Sequence, residues 1–283
     1  MIDLSNALPK PNILPMIMKE SNRPLKSDTR YLLKIKEELE ILLAREKELS
    51  RLKGRMVSIA SHEFRTPLSS IQLSASTIEH YFDRLDRTRI FQHLKKIIMA
   101  VQQMTAILDD LLSLEKIESG KVSLRMKCFD LTSVSRDVLE EMQAMTKKGQ
   151  QLFHRHHGLD TEVYLDQDLL RRCLTNLISN AIKYSPEGGI VELVTCITEQ
   201  FMEVQVKDQG IGIPEKEQSR LFETFFRADN AKDIQGTGLG LNIVKRYVEL
   251  MNGSVSFSSR ENEGTVFMLR FPRLSGDLDQ PIK

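Results

Sequence analysis

The chain has 283 residues, and its 40 lysines and arginines balance 39 aspartates and glutamates to a net charge of +1. That balance gives no electrostatic reason to expect nucleic acid or an anionic membrane as the main partner. With 41% apolar and 28% charged residues, the composition is typical of a soluble globular protein of one or two domains. No apolar run approaches the roughly 20 residues that a membrane-spanning helix needs, so no membrane segment is predicted.

The cysteines are Cys128, Cys173 and Cys196, an odd number without close spacing. This pattern predicts neither a disulfide framework nor a zinc site. A reducing cytoplasm is therefore the expected compartment.

The N-terminal part of the chain changes character near residue 31. Residues 1–30 are rich in proline and have no apolar period, which predicts an irregular arm. Over residues 31–50, apolar residues recur at alternating three- and four-residue steps, which predicts a coiled-coil signalling helix. Its seam slips once between Leu42 and Leu49. A solvated surface helix is the alternative interpretation of so short a seam.

Residues 51–120 are predicted to form two long amphipathic helices joined by a turn at Asp83–Arg89. Gly120 can take the left-handed conformation that ends the second helix. A single hairpin cannot cover both of its apolar stripes, whereas two hairpins paired about a two-fold axis form a four-helix bundle. We therefore expect a homodimer. The stripe of the second helix comprises Leu94, Ile97, Val101, Met104, Leu108, Leu111 and Ile117.

Residues 121–283 mix strand and helix patterns and predict an α/β sandwich, so that the whole chain belongs to the α+β class. The predicted strands are Val122–Phe129, Gln151–Phe153, Glu162–Leu165, Ile190–Ile197, Met202–Val206, Ser254–Ser258 and Thr265–Phe271. The predicted helices are Leu131–Met145, Asp168–Tyr184 and Asn242–Met251.

A candidate nucleophile, His62, lies on the first bundle helix and is expected to face solvent. A neutral, oriented imidazole can act as a nucleophile. Glu63 could hold its tautomer and accept the departing proton. Pro67 lacks an N–H and should bend the helix. A zinc helix is excluded because its second histidine would stand at Thr66. Without other evidence, a surface histidine of no special role is the better interpretation.

A second polar group lies on the helix that ends at Tyr184. Asn176, Asn180 and Lys183 share one face, opposite the apolar face. Two amide oxygens and an ammonium could hold a metal-bound triphosphate, since magnesium prefers a few oxygen ligands plus phosphate. A plain polar helix face is the alternative.

Two glycine-containing segments follow. In Asp208–Pro214, directly after a predicted strand, the carboxylate could accept a hydrogen bond from an adenine amino group, and the glycines allow close backbone approach. Gly236–Leu241 precedes a helix, where backbone amides form a phosphate cradle. The segment Gly236–Leu241 matches neither the P-loop nor the dinucleotide fingerprint.

Together these features resemble the sensor histidine kinases of two-component systems. The order and spacing of five boxes match, and the resemblance covers about Leu49 to Pro272. The boxes are Ser61–Leu68 (phosphoacceptor), Asn176–Tyr184 (asparagine), Asp208–Pro214 and Gly236–Leu241 (glycine), and Leu221–Arg227 (phenylalanine).

The resemblance implies an ATP-binding fold shared with gyrase-like ATPases, with ATP and Mg²⁺ as cofactors. It implies that Asn180 is the magnesium ligand and that Asn176 and Lys183 lie near the phosphates. Tyr184 would pack beside the adenine, and Asp208 would bind the adenine amino group. Arg227 could reach the γ-phosphate and Thr265 the adenine through water, and Phe225 and Phe226 would anchor the lid. The pocket would be shaped by Gly210, Gly212, Gly236, Thr237, Gly238, Leu239, Gly240 and Leu241.

The resemblance also implies that His62 is phosphorylated and passes the group to the receiver domain of a response regulator. Thr66, one turn further along the helix, would support dephosphorylation of the regulator. Phosphorylation within one subunit and across the dimer both stay open, because side-chain periodicity does not fix the handedness of the bundle turn.

Two other functions compete with a kinase. An ATP-sensing scaffold would be expected to have lost His62, Glu63 or Asn180, and all three are present. A clamp-like ATPase has no use for a hairpin that presents His62. The histidine-rich run His154–His157 is interpreted as a solvated loop rather than a metal site, because no carboxylate or cysteine stands at a suitable spacing.

Overall fold

The computed structural model describes residues 25–273 except 233 and 235, and within α1 it leaves out some side chains, including that of His62. The chain divides into two compact units, Met1–Val57 and Ser58–Lys283. Most of the predicted irregular arm and several seam side chains of residues 31–59 lie outside the described part.

The first helix, α1 (Leu25–Tyr81), begins several residues before the expected position near residue 31. Pro67 lies inside α1 without ending it. Leu39 and Leu42, both on the proposed seam, are exposed in the single chain. A short 3₁₀ turn at Phe82–Arg84 follows, at the place where the sequence predicts the bundle turn.

The second helix, α2 (Arg87–Glu118), begins at an N-cap: Asp86 accepts a hydrogen bond of 2.8 Å from the backbone N–H of Arg89. The helix is followed by Gly120 at φ +64°, as predicted. Its apolar residues form two stripes rather than the single stripe expected. One stripe is buried and contains Ala100, Ile107 and Leu114. The other is exposed and contains Leu94 (43%), Val101 (50%) and Leu108 (48%).

By length and composition, α2 is the one helix among the described residues that could cross a membrane. The apolar runs of the sequence predict no such segment. A bundle helix can be equally apolar, because its apolar faces become buried against other helices when the bundle assembles.

The remaining elements form the predicted α/β region, which confirms the α+β class. The strands are β1 (Met126–Asp130), β2 (Gln151–His157), β3 (Glu162–Asp166), β4 (Ile190–Ile197), β5 (Phe201–Asp208), β6 (Ser254–Arg260) and β7 (Gly264–Pro272). The helices are α3 (Leu131–Gln143), α4 (Gln167–Tyr184), α5 (Glu215–Gln218) and α6 (Gly240–Leu250), with a 3₁₀ turn at Asp229–Ala231.

The five-stranded sheet has the order β2-β4-β5-β7-β6, and β1 pairs with β3 in a separate ribbon. Only β2 and β4 run parallel within the larger sheet. Helix α4 packs against α3 on one side and α6 on the other, and all three helices contact this sheet. The fully buried core includes Leu170, Leu174 and Ile178 of α4 and Leu193 and Leu269 of the sheet.

Two sequence expectations are wrong in this region. The first strand begins only at Met126, not at Val122. The run His154–His157 lies in β2 rather than in a loop. His154 Nε2 and His156 Nδ1 lie 3.0 and 2.8 Å from the buried Thr195 hydroxyl, so both rings face inward. No group of three or more metal-ligating side chains occurs among the residues that the structure describes.

Candidate functional site

Helix α4 positions the asparagine-box side chains. Asp166 caps its N-terminus and accepts hydrogen bonds from the backbone N–H groups of Asp168 and Leu169, at 3.1 and 3.0 Å. Because the apolar face of α4 is buried against the sheet, its polar face is directed to the other side. There the Asn180 Nδ2 donates to Asn176 Oδ1 at 3.2 Å.

The C-terminal end of α4 is held by two side chains that the sequence did not single out. Lys147 Nζ donates to the carbonyls of Lys183 and Ser185, at 2.7 and 2.6 Å. The buried Gln150 Nε2 donates to the carbonyl of Ile182 at 3.0 Å. These donors satisfy helix-terminal carbonyls that have no partner within the helix. No local pattern could reveal them, because they are more than 30 residues away in the chain.

Lys183 lies at the centre of the polar face. Its ammonium is 3.2 Å from the Tyr184 hydroxyl and 4.7 Å from the centre of that ring. Burial and, to a smaller extent, the positive charge of Arg227 lower the pKa of Lys183 to about 8, against the opposing effect of the Glu63 carboxylate. The phosphoacceptor segment of α1 therefore acts electrostatically on the polar face of α4.

Asp208 is the last residue of β5. Its Oδ1 accepts hydrogen bonds from the backbone N–H groups of Gly210 at 2.8 Å and Thr265 at 3.2 Å. Burial raises the pKa of Asp208 to about 6, although both hydrogen bonds act in the opposite direction. The Thr265 hydroxyl is 2.8 Å from the hydroxyl of Ser259, so the paired strands β6 and β7 both place a hydroxyl group near Asp208.

The glycines of both boxes lie where other groups approach closely. A β-carbon on Gly236 would lie 2.6 Å from Lys183 Nζ, and one on Gly240 would overlap the amide of Asn176. In the first glycine box, Gly210 lies against the backbone of Tyr184. Thus the predicted residues of α4 and of both glycine boxes surround one region.

The phenylalanine box is tied to the second glycine box through backbone contacts. Phe225, at φ +65°, donates its N–H to the carbonyl of Gly238 at 3.0 Å. Arg227 Nη2 donates to the carbonyls of Ala231 and Lys232, both at 2.8 Å, and to that of Ile234 at 2.5 Å. In this geometry Arg227 binds backbone carbonyls that lie between the phenylalanine box and the second glycine box. The resemblance instead implies a contact of Arg227 with the γ-phosphate.

The second glycine box leads directly into α6. Leu239 is buried and Leu241 is half-buried. The Thr237 hydroxyl accepts the N–H of Leu239 at 3.2 Å and lies 3.3 Å from the Asp110 carboxylate of α2. Asn242, which sequence reasoning missed, donates to the carbonyl of Phe222 at 2.8 Å and so fixes α6 to the phenylalanine box.

The phosphoacceptor box lies within α1. His62 is a helical residue whose side chain lies outside the described part. Glu63 is half-buried and Thr66 is exposed. The direction of the His62 ring therefore stays a prediction.

Two family models match consecutive parts of the chain. The His Kinase A phospho-acceptor domain matches residues 52–120. The histidine kinase-, DNA gyrase B- and HSP90-like ATPase domain matches residues 165–275.

Known proteins resemble this chain in sequence or in structure. The signal transduction histidine-protein kinase BarA of Escherichia coli K12 is 34% identical over 81% of this chain, which spans 26% of BarA. The full-length ShkA structure in complex with AMPPNP is 25% identical, with a TM-score of 0.56 over 78% of this chain and 46% of ShkA. Histidine kinase ThkA in complex with the response regulator TrrA is 23% identical, with a TM-score of 0.56 over 90% of this chain and 68% of ThkA, and shows the shared fold.

Proposed function

Because the chain belongs to the sensor histidine kinases of two-component systems, we propose that it transfers a phosphoryl group from ATP to its own His62 and then to a response regulator. The observation that carries this proposal is that the second glycine box contacts Asn176 and Lys183 of α4, while Gly210 lies against Asp208 and Tyr184. The same chain also contains the phospho-acceptor region. The chain spans about a quarter of the length of BarA, so other regions of such proteins are outside the proposal.

Asp208 would bind the adenine end of ATP. With a pKa of about 6 it is largely ionised at pH 7. Its Oδ1 is engaged by two backbone N–H groups, which orients the carboxylate for the exocyclic amino group. Tyr184 would pack beside the ring, Gly210 and Gly212 would admit it, and Thr265 would contact it through water.

The polar face of α4 and the N-terminus of α6 would bind the triphosphate. The side-chain nitrogen of Asn180 donates a hydrogen bond to Asn176, so the side-chain oxygen of Asn180 is the atom available to a magnesium ion. Lys183 remains largely protonated at pH 7 and can neutralise phosphate charge. Backbone amides at the start of α6 favour an anion. For Arg227 to reach the γ-phosphate, it would have to give up its hydrogen bonds to the carbonyls of Ala231, Lys232 and Ile234.

The transfer itself needs only positioning and charge stabilisation. The bond from the γ-phosphorus to the bridging oxygen of ADP breaks, a nitrogen–phosphorus bond forms on His62, and the imidazole proton passes to Glu63 or to water. In the second step that bond breaks and the phosphoryl group forms an acyl phosphate with an aspartate of the receiver domain. ThkA in complex with TrrA is the precedent for such a partner. Thr66 would then assist hydrolysis of the acyl phosphate.

The exposed stripe of α2 would form the homodimer interface. Phe91, Leu94, Ile98, Val101, Leu108 and Leu112 follow one another at three-, four- and seven-residue steps, and all are exposed in the single chain. A stripe with this period matches the seam between helices of a four-helix bundle. Covering it in a dimer removes a large apolar surface from water.

One experiment separates a kinase from its competitors. The protein is incubated with Mg²⁺ and γ-labelled ATP, and the label is followed on the protein and in solution. A kinase retains the label in an acid-labile, base-stable form. Steady release of free phosphate without labelled protein would indicate a clamp-like ATPase, and binding without either product would indicate a scaffold.

A further inference from the structure

We propose that Asp110 of α2 is a positioning residue that docks the second glycine box beside the phosphoacceptor helix for phosphoryl transfer. The proposal rests on the kinase function proposed above. It concerns a bundle residue outside all five family boxes.

The contact joins two regions far apart in the chain. The Thr237 hydroxyl lies 3.3 Å from Asp110 Oδ2, although the residues are 127 positions apart. The same hydroxyl accepts the N–H of Leu239, so one side chain links α2 to the turn that begins α6. Asp110 thereby contacts the loop that would hold the phosphates.

Further contacts support this docking. Arg172 of α4 lies 3.5 Å from the Ser113 hydroxyl, one turn further along α2. Leu114 is almost fully buried, and α2 packs against α6. Burial, assisted by the negative charge of Asp109, raises the pKa of Asp110 to about 6, although the hydrogen bond from Thr237 acts in the opposite direction. Asp110 is half-buried at this junction, whereas its neighbour Asp109 is exposed.

The docking point lies near the level of the phosphoacceptor. At about 1.5 Å per residue from the turn, His62 of α1 and Asp110 of α2 differ by roughly one helical turn along an antiparallel hairpin. In the same arrangement the carboxylate of Glu63 acts on Lys183 in the candidate pocket. A docked glycine box therefore brings the phosphate end of the pocket to the segment that carries His62, and holding reactants in place is the main contribution of the protein in phosphoryl transfer.

The test compares Asp110→Ala with Asp109→Ala, which removes the same charge from the exposed neighbour. Two quantities are measured for each: the autophosphorylation rate at saturating ATP, and the Kd for trinitrophenyl-ATP. Asp110→Ala is expected to lower the rate about tenfold, the scale of a lost charge-assisted hydrogen bond, with Kd changed less than twofold. Asp109→Ala should match the wild type in both quantities. Asp110→Asn, which keeps an acceptor oxygen, should recover most of the rate.

A double-mutant cycle shows whether the effect passes through Thr237. In a Thr237→Val background, Asp110→Ala should lower the rate by less than a further twofold, because the contact is already absent. An unchanged or faster rate in Asp110→Ala, an equal loss of rate and affinity, or fully additive effects would overturn the positioning role. An unlabelled wild-type protein would instead refute the kinase function.

Discussion

The ammonium of Lys183 lies 2.6 Å from the point that a β-carbon on Gly236 would occupy. The second glycine box and the asparagine-box helix are therefore in contact at a position where an added β-carbon would meet the Lys183 ammonium. Because the crowded atom is the end of a flexible side chain, a methyl group there would displace the ammonium rather than the backbone.

Gly236→Ala should consequently weaken ATP binding about tenfold, the scale of a lost charged hydrogen bond. It should change the free energy of unfolding by less than about 1 kcal/mol. Titration with trinitrophenyl-ATP and thermal denaturation measure the two effects. Gly54→Ala is the control, since its β-carbon would meet nothing within 4 Å. Wild-type affinity in Gly236→Ala would contradict the assigned role of Lys183.

Asp208→Asn tests the adenine contact without removing the local hydrogen bonds. The amide oxygen can still accept from Gly210 and Thr265, but an NH₂ group replaces the second acceptor oxygen. We expect ATP affinity to fall ten- to hundredfold while the melting temperature stays near that of the wild type. Inosine triphosphate has a carbonyl in place of the amino group, so Asp208→Asn should weaken its binding less than it weakens the binding of ATP. Equal losses for both nucleotides would contradict the contact.

The same carboxyl group predicts a pH dependence of ATP binding. The pKa of Asp208 is raised to about 6, so the acceptor form is complete above about pH 7 and is lost as the pH falls through 6. ATP affinity should therefore decline between pH 7 and 5. Asp208→Asn should lack this component, and an identical decline in the variant would assign it to another group.

Sequence reasoning located most elements because their signals are local. The strand Ile190–Ile197 has the predicted bounds, and the helix ending at Tyr184 begins one residue before the predicted Asp168, since apolar periods and caps are properties of neighbouring residues. The placement of His154–His157 failed because a strand that buries polar rings against Thr195 has no alternating apolar signal. The contact of Asp110 with Thr237 could not be predicted, because it depends on how two distant segments pack. The sequence predicts one apolar stripe on α2, whereas the structure has a buried and an exposed stripe. Apolar periodicity alone does not show which neighbouring element covers each residue.

Gln150→Ala should destabilise the α/β region by about 1–3 kcal/mol, because the buried helix-end carbonyls of α4 would lose their donor. Gln143→Ala, at an exposed position near the end of α3, is the control and should stay within about 0.5 kcal/mol. Urea denaturation followed by circular dichroism measures both. A Gln150→Ala variant as stable as the control would show that these bonds contribute little.

Val101→Glu should disrupt the homodimer, because it introduces a charge into the middle of the exposed stripe of α2. Sedimentation velocity should then detect monomer at concentrations where the wild type is dimeric. Gln102→Glu adds the same charge at an adjacent exposed position outside the stripe and should remain dimeric. A monomeric wild type, or a dimeric Val101→Glu variant, would exclude this interface.

The identity of the phosphorylated residue tests the proposed function most directly. After incubation with Mg²⁺ and γ-labelled ATP, the label should be found on His62 as an acid-labile, base-stable phosphoramidate. His62→Gln should abolish labelling while retaining ATP affinity, and His80→Gln, which alters an exposed histidine of the same helix, should be labelled like the wild type. Undiminished label in His62→Gln, or label that is labile to base, would contradict the account.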